Sequence, residues 1–176
     1  MLSEYELIVD SAEQAIPKPI DYQEQKRHYS GKKKMPTLKK HFIILPDGED
    51  IVDVYVEILG KTSDINLFRD SRNKLVPSQK FLGDANIGDD AITTPDKKRK
   101  NTEISQLQKP KNKQLSSRRI PVEHMIGRVK IFRVASDRFR LARHRYSQVI
   151  MAVCGLVRLR LNRLVSLTIN TYFFSP

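Results

Sequence analysis

Apolar residues fall into short runs of two different periods along this chain. Tyr5-Glu6-Leu7-Ile8-Val9 is a brief apolar run that stops at Asp10 and predicts a buried strand. Residues 11–35 carry Pro17, Pro19 and many charges and predict a long loop or irregular hairpin. His41-Phe42-Ile43-Ile44-Leu45 predicts a second strand. Residues 51–59 alternate, with Val52, Val54, Val56 and Ile58 on one face and Asp53, Tyr55 and Glu57 on the other, and predict a third. Pro46-Asp47-Gly48-Glu49 between them is a turn, since Pro presets one backbone angle and Gly accepts a positive one. The second and third strands therefore pair antiparallel.

The period then changes. Thr62 or Ser63 can cap a helix from Asp64 to about Ser71, with Ile65, Leu67 and Phe68 available for packing. Lys80-Phe81-Leu82 is a short fourth strand ending at Gly83-Asp84. Residues 85–117 lack periodicity and predict a long basic loop, with one helical turn near 102–107. Pro121 suits the first position of a helix on which Val122, Met125, Ile126, Val129 and Phe132 form one apolar stripe. A last helix spans about 146–164, with Cys154 buried in it. Three strands, a helix, a strand, a loop and two helices make a mixed α/β domain with an antiparallel meander at its start.

The 176 residues suit one domain, and a single Cys excludes a disulfide scaffold. The longest apolar stretch, 149–157, is followed by Arg158, Arg160 and Arg163 and is far short of the ~20 residues of a membrane span. The chain start has no basic segment before an apolar block, so no signal peptide is expected. Charge changes the picture most. Lys and Arg total 32 against 20 acids, a net charge of +12. Residues 97–119 hold nine basic residues and one acid, Lys32-Lys33-Lys34 with Lys39 and Lys40 form a second cluster, and 122–145 a third. A charge run is usually a solvated face, but three in one small domain point to a polyanion.

Asp10 and Asp84 each follow an apolar strand, where an acid projects from a sheet edge. Taken singly, each is better explained as a turn or cap residue than as a catalytic one. Glu123 lies in the first turn of the helix expected from Pro121, and Lys130 returns to within about 20° of it two turns on. That helix buries one stripe and presents Glu123, Gly127 and Lys130 on another, with Arg119 just before it. Gly127 would admit a close phosphate, and Lys130 would hold it. An ordinary solvated face, with an acid favoured by the helix dipole, accounts for the same residues. The histidines have no metal-ligand spacing with Cys154, so no zinc site is expected.

Arg119-x3-Glu123-x6-Lys130 resembles part of a signature of bacterial insertion-element transposases, which are DDE superfamily endonucleases close to the Harbinger-like branch. The resemblance extends from about Leu7 to Arg160. It takes in Val9-Asp10, Tyr22-Gln23-Glu24-Gln25-Lys26, Tyr29-Ser30-Gly31-Lys32-Lys33-Lys34, Ser63-Asp64, Leu82-Gly83-Asp84 and the run from Val122 to Lys130.

The resemblance implies an RNase H-like fold with the fourth strand beside the first. It makes Asp10, Asp84 and Glu123 the catalytic acids, and adds Asp64 to them as ligands of two Mg²⁺ or Mn²⁺ ions. It implies DNA cleavage and strand transfer, with Arg119, Arg128, Lys130, Lys32, Lys33 and Lys34 on DNA phosphates. Arg138, Arg140, Arg143 and Arg145 as a group would line the DNA channel. It further implies a homodimer on DNA ends, in the cytoplasm with the nucleoid. On this basis residues 1–161 form the catalytic domain, 85–118 its basic loop, and 162–176 a divergent tail.

Some positions depart from the family pattern. Asp10-Ser11-Ala12 lacks the usual Thr, Ser116 stands where the signature has Tyr, and no aromatic follows Asp84. The family's N-terminal DNA-binding region has no counterpart in this sequence. Two readings follow, an insertion-element transposase domain and a non-catalytic basic nucleic-acid-binding remnant. A ribonuclease or junction nuclease on the same fold is disfavoured by the Arg-Glu-Lys spacing.

Overall fold

The computed structural model describes residues 2–56, 59–84, 89–95 and 108–161. A short 3-10 turn, Leu2–Glu4, leads into β1 (Glu6–Ala15). β1 begins as expected but runs on past Asp10, because Ala12 and Gln14 continue its buried face. The expected loop over 11–35 is instead the end of β1, helix α1 (Tyr22–His28) and β2 (Tyr29–Ser30). The local signal for α1 was Asp21 three residues before Glu24. The Asp21 carboxylate accepts the Glu24 amide at 2.8 Å and caps the helix.

β3 (Met35–Ile44) extends well ahead of the expected second strand. Lys39 and Lys40, expected in a basic surface cluster, lie within it and are buried. β3 pairs antiparallel with β1 along eight residue pairs and with β4 (Ile51–Tyr55). The turn between β3 and β4 holds Gly48 at φ +71°. A Cβ there would lie 2.9 Å from the Pro121 side chain, so this turn also packs on the long helix that follows. Residues 57–58 of the expected third strand lie outside the described residues.

α2 (Asp64–Arg72) is capped by Ser63, and β5 (Lys80–Leu82) matches the expected fourth strand. β5 lies parallel beside β1, and β6 (Ile92–Thr93) lies parallel beside β5. The sheet order is β2-β3-β1-β5-β6, with β4 sharing the outer edge of β3 with β2. The helical turn expected at 102–107 lies outside the described residues.

α3 (Gln108–Lys130) differs most from expectation, since the helix starts well before Pro121 and takes up part of the expected basic loop. Leu115, seven residues before Val122, carries the buried stripe back by two turns. The short α4 (Arg133–Ser136) and a 3-10 turn, Arg143–Arg145, lead to α5 (Tyr146–Arg160). The expected end of that helix at 162–164 and the tail lie outside the described residues.

Strand alternation divides the core in two. Ile8, Ala12, Leu38, Phe42 and Ile44 face α3 and α5, where Val122, Met125, Val129, Ile150 and Val153 meet them. Leu7, Val9, Ile43 and Phe81 face α2 and pack on Phe68. Phe68 meets Phe81 edge-on at 5.1 Å, and Phe139 meets Tyr146 at 5.0 Å.

Candidate active site

The parallel register places Ile8 opposite Leu82. Asp10 and Asp84 each stand two residues further on, so both acids reach the same edge of the sheet. β5 stops at Leu82, which leaves Asp10 beyond the paired part of its neighbour although it lies in the middle of β1. Between them Gly83 packs closely: a Cβ there would lie 2.4 Å from the Ile92 δ-methyl and 3.1 Å from the Val9 side chain.

One guanidinium reaches both acids. Arg119 Nη2 lies 3.8 Å from Asp10 Oδ2, and Arg119 Nη1 lies 3.6 Å from Asp84 Oδ1. The Arg119 side chain is only 12% exposed. Its buried Nε has no hydrogen-bond partner. Burial raises the Asp10 carboxyl above the usual range. The Ser11 amide, which donates to Asp10 Oδ1 at 2.8 Å, and the Arg119 charge oppose that rise, while Asp84 and Asp64 add to it.

Asp64 opens α2 on the other side of the sheet edge. Its Oδ1 accepts from Lys39 Nζ at 3.2 Å, and Lys39 also donates to the Thr62 carbonyl at 2.6 Å and faces Glu13 at 3.9 Å. Ser11 Oγ and His41 Nδ1 are 2.9 Å apart, and burial pushes the imidazole down to about 4, so it is neutral at pH 7. Glu13, Ser11 and His41 were not among the expected site residues, and Lys39 stood only in the basic cluster. The available signal was cross-strand pairing, since Glu13 faces Lys39 and Ser11 faces His41 in the β1–β3 register.

A cavity of about 320 Å³ gathers Asp10, Asp84 and Asp64 with Lys32 and Lys33 from the β2–β3 turn and Lys130 from the end of α3. Arg119 touches two of its walls. Other expected site residues lie elsewhere. Lys34 is exposed in the turn at φ 56° and is not part of the cavity wall. Arg128 donates to the Gly48 carbonyl at 3.3 Å. Glu123 is exposed and does not line the cavity. It lies on α3 about 40° round from Arg119 and about 20° from Lys130, on the same side of the helix as both. Arg143, expected in the DNA channel, pairs with Glu24 at 2.8 Å.

Asp10 and Asp84 suit a hard divalent cation. Both offer carboxylate oxygens, and both already converge on one cationic group. Among the described residues no three His, Cys, Asp or Glu side chains close into a metal-binding group. A third ligand therefore requires a side-chain rearrangement, with Asp64 and Glu13 as the other acids that line the cavity. No helix among the described residues is long and apolar enough to cross a membrane.

A family model described as DDE superfamily endonuclease matches residues 9–158. The chain is 31% identical over 157 residues to a Microchaete diplosiphon protein described as "Probable transposase for insertion sequence element IS702". That match covers 85% of this chain and 55% of the relative, so the chain spans about half the relative's length. No solved structure matches the chain.

Proposed function

This chain belongs to the DDE superfamily of endonucleases, and on that premise we propose that it is the catalytic part of an insertion-element transposase, RNase H-like in fold, that cuts and joins DNA phosphodiesters. One observation carries the reading: Asp10 in β1 and Asp84 just past the parallel β5 both pair with one guanidinium, and both line a cavity rimmed by lysines. Asp10 and Asp84 would hold Mg²⁺ or Mn²⁺, with Glu123 and Asp64 completing the ligand set. When bound, such ions supply activation of the attacking oxygen and neutralisation of charge at the leaving oxygen.

The remaining roles fall to this chain's own groups. The Ser11 amide fixes the Asp10 carboxylate. Lys32, Lys33 and Lys130 surround the acids and would hold the phosphates on either side of the scissile bond, so DNA affinity falls steeply as salt rises. Lys39 keeps Asp64 turned toward the sheet. Paired DNA ends would be held by a homodimer.

Nicking of supercoiled plasmid in Mg²⁺ or Mn²⁺ tests the reading. Asp10→Asn, Asp84→Asn and Glu123→Gln are each expected to cost more than about 100-fold, beyond the usual effect of losing an outer-shell partner. The exposed position of Glu123, away from the cavity, favours a second reading as a non-catalytic basic nucleic-acid-binding domain. That reading predicts DNA binding without nicking, unchanged in all three variants.

A further inference from the structure

We propose that Arg119 is a built-in counter-ion of the Asp10–Asp84 pair, seated where a divalent cation would lie, and that it must leave for a metal ion to enter. This rests on the transposase reading above. The molecule contains its own standard for a settled arginine–carboxylate pair. Arg158 grips Asp50 through Nε and Nη2 at 2.7 and 2.9 Å, as a forked guanidinium does when it serves structure. Arg119 does not do this. Its two terminal nitrogens reach two different acids at 3.8 and 3.6 Å, beyond hydrogen-bond length, and its buried Nε donates to nothing.

The guanidinium is thus held by charge rather than by directed bonds. It neutralises two carboxylates that would otherwise repel each other, and it leaves three strong donors poorly used. A cation held that way is readily displaced by one of higher charge. A Mg²⁺ ion needs oxygens at about 2.0–2.1 Å, which the interposed guanidinium prevents. Arg119 therefore lowers the apparent metal affinity of the wild type by the fraction of molecules in which it has swung out. The arginine is a positioning residue that sets when the acids are open to metal.

Calorimetric titration of Mn²⁺ into the full chain tests this without reference to cleavage. Arg119→Gln is expected to bind Mn²⁺ about tenfold more tightly than wild type, as for a site open in one molecule in ten. Arg119→Lys, which restores the charge, should fall back toward wild type. Adding Asp10→Asn to Arg119→Gln should abolish the tight site. Equal or weaker binding by Arg119→Gln overturns the proposal, and the transposase reading survives if the wild type still binds Mn²⁺ through Asp10. Absence of Mn²⁺ binding in both wild type and Arg119→Gln removes both. If Arg119→Gln does not fold, the ¹⁵Nε–H signal of Arg119 in the wild type decides. It should shift and exchange faster with water on adding Mg²⁺, and an unmoved signal beside a shifted Asp10 amide overturns the proposal.

Discussion

Two cations lie against the same face of the sheet, and they are treated differently. Lys40 is 1% exposed on β3. Its Nζ donates to Gln14 Oε1 at 3.1 Å and to the Ala135 carbonyl, and it lies 6.0 Å from the centre of the Tyr146 ring. Gln14 in turn donates to the Val134 and Asp137 carbonyls at 2.8 and 2.7 Å. The pair thus ties the free carbonyls around α4 to the sheet and fixes the path from α3 to α5. Arg119 lies at the strand ends with an unpaired Nε and two long ionic contacts. Satisfied donors mark a cation that belongs to the architecture. An unused buried donor such as Arg119 Nε calls for an account of its own.

The largest expected stability effect separates the two. Lys40→Ala leaves Gln14 Oε1 and the Ala135 carbonyl without a donor, at about 1–3 kcal/mol for each stranded group. Urea unfolding should show a loss of about 3 kcal/mol, whereas Arg119→Gln should change metal-free stability by less than about 1 kcal/mol. Equal losses would break the comparison.

A smaller effect lies in the pH dependence. Burial pushes the Lys40 ammonium down to about 8 from 10.5. Between these values the unfolded chain holds a proton that the folded protein has released. Stability therefore rises with pH from about 8 to 10.5, and the full burial cost is present below 8. Lys40→Met should flatten this rise, and its own stability should match or exceed that of Lys40→Ala.

The smallest effect lies on the helix face that bears Arg119. A Cβ at Gly127 would meet nothing within 4 Å. Gly127→Ala should stabilise α3 by about 0.5–1 kcal/mol through helix propensity. If DNA passes over that face, the same change should weaken DNA binding, measured by fluorescence anisotropy. Unchanged binding would place the DNA elsewhere.

Much of this organisation was legible residue by residue. The Ser63 cap and the apolar positions after it specified α2. Lys80-Phe81-Leu82 stood out as β5, and the Gly48 turn specified the hairpin of β3 and β4. The Glu123 and Lys130 spacing placed two charges on one side of α3, and the earlier start of the helix adds Arg119 to them. The start of α3 was misread because Pro121 is a strong local start signal, yet the Leu115 side chain finds the core two turns earlier. Lys39 and Lys40 read as surface charge because nothing nearby in the chain reveals their acceptors. The Ala135 carbonyl that holds Lys40 lies 95 residues away.

Short-range periodicity and capping chemistry were sufficient to locate the starts of β1, β4, α2, β5 and α5 and the buried stripe of α3, since these depend on near neighbours in the chain, whereas the β3–β4 bulge puts Val52 on the other face from Val54 and Val56. Tertiary structure decided which faces meet. The parallel register of β1 and β5 brings Asp10 to Asp84, and Arg119 from α3 meets them both. Which buried charges are satisfied was decided there too, because a burial cost is met only by partners that folding carries in from distant parts of the chain.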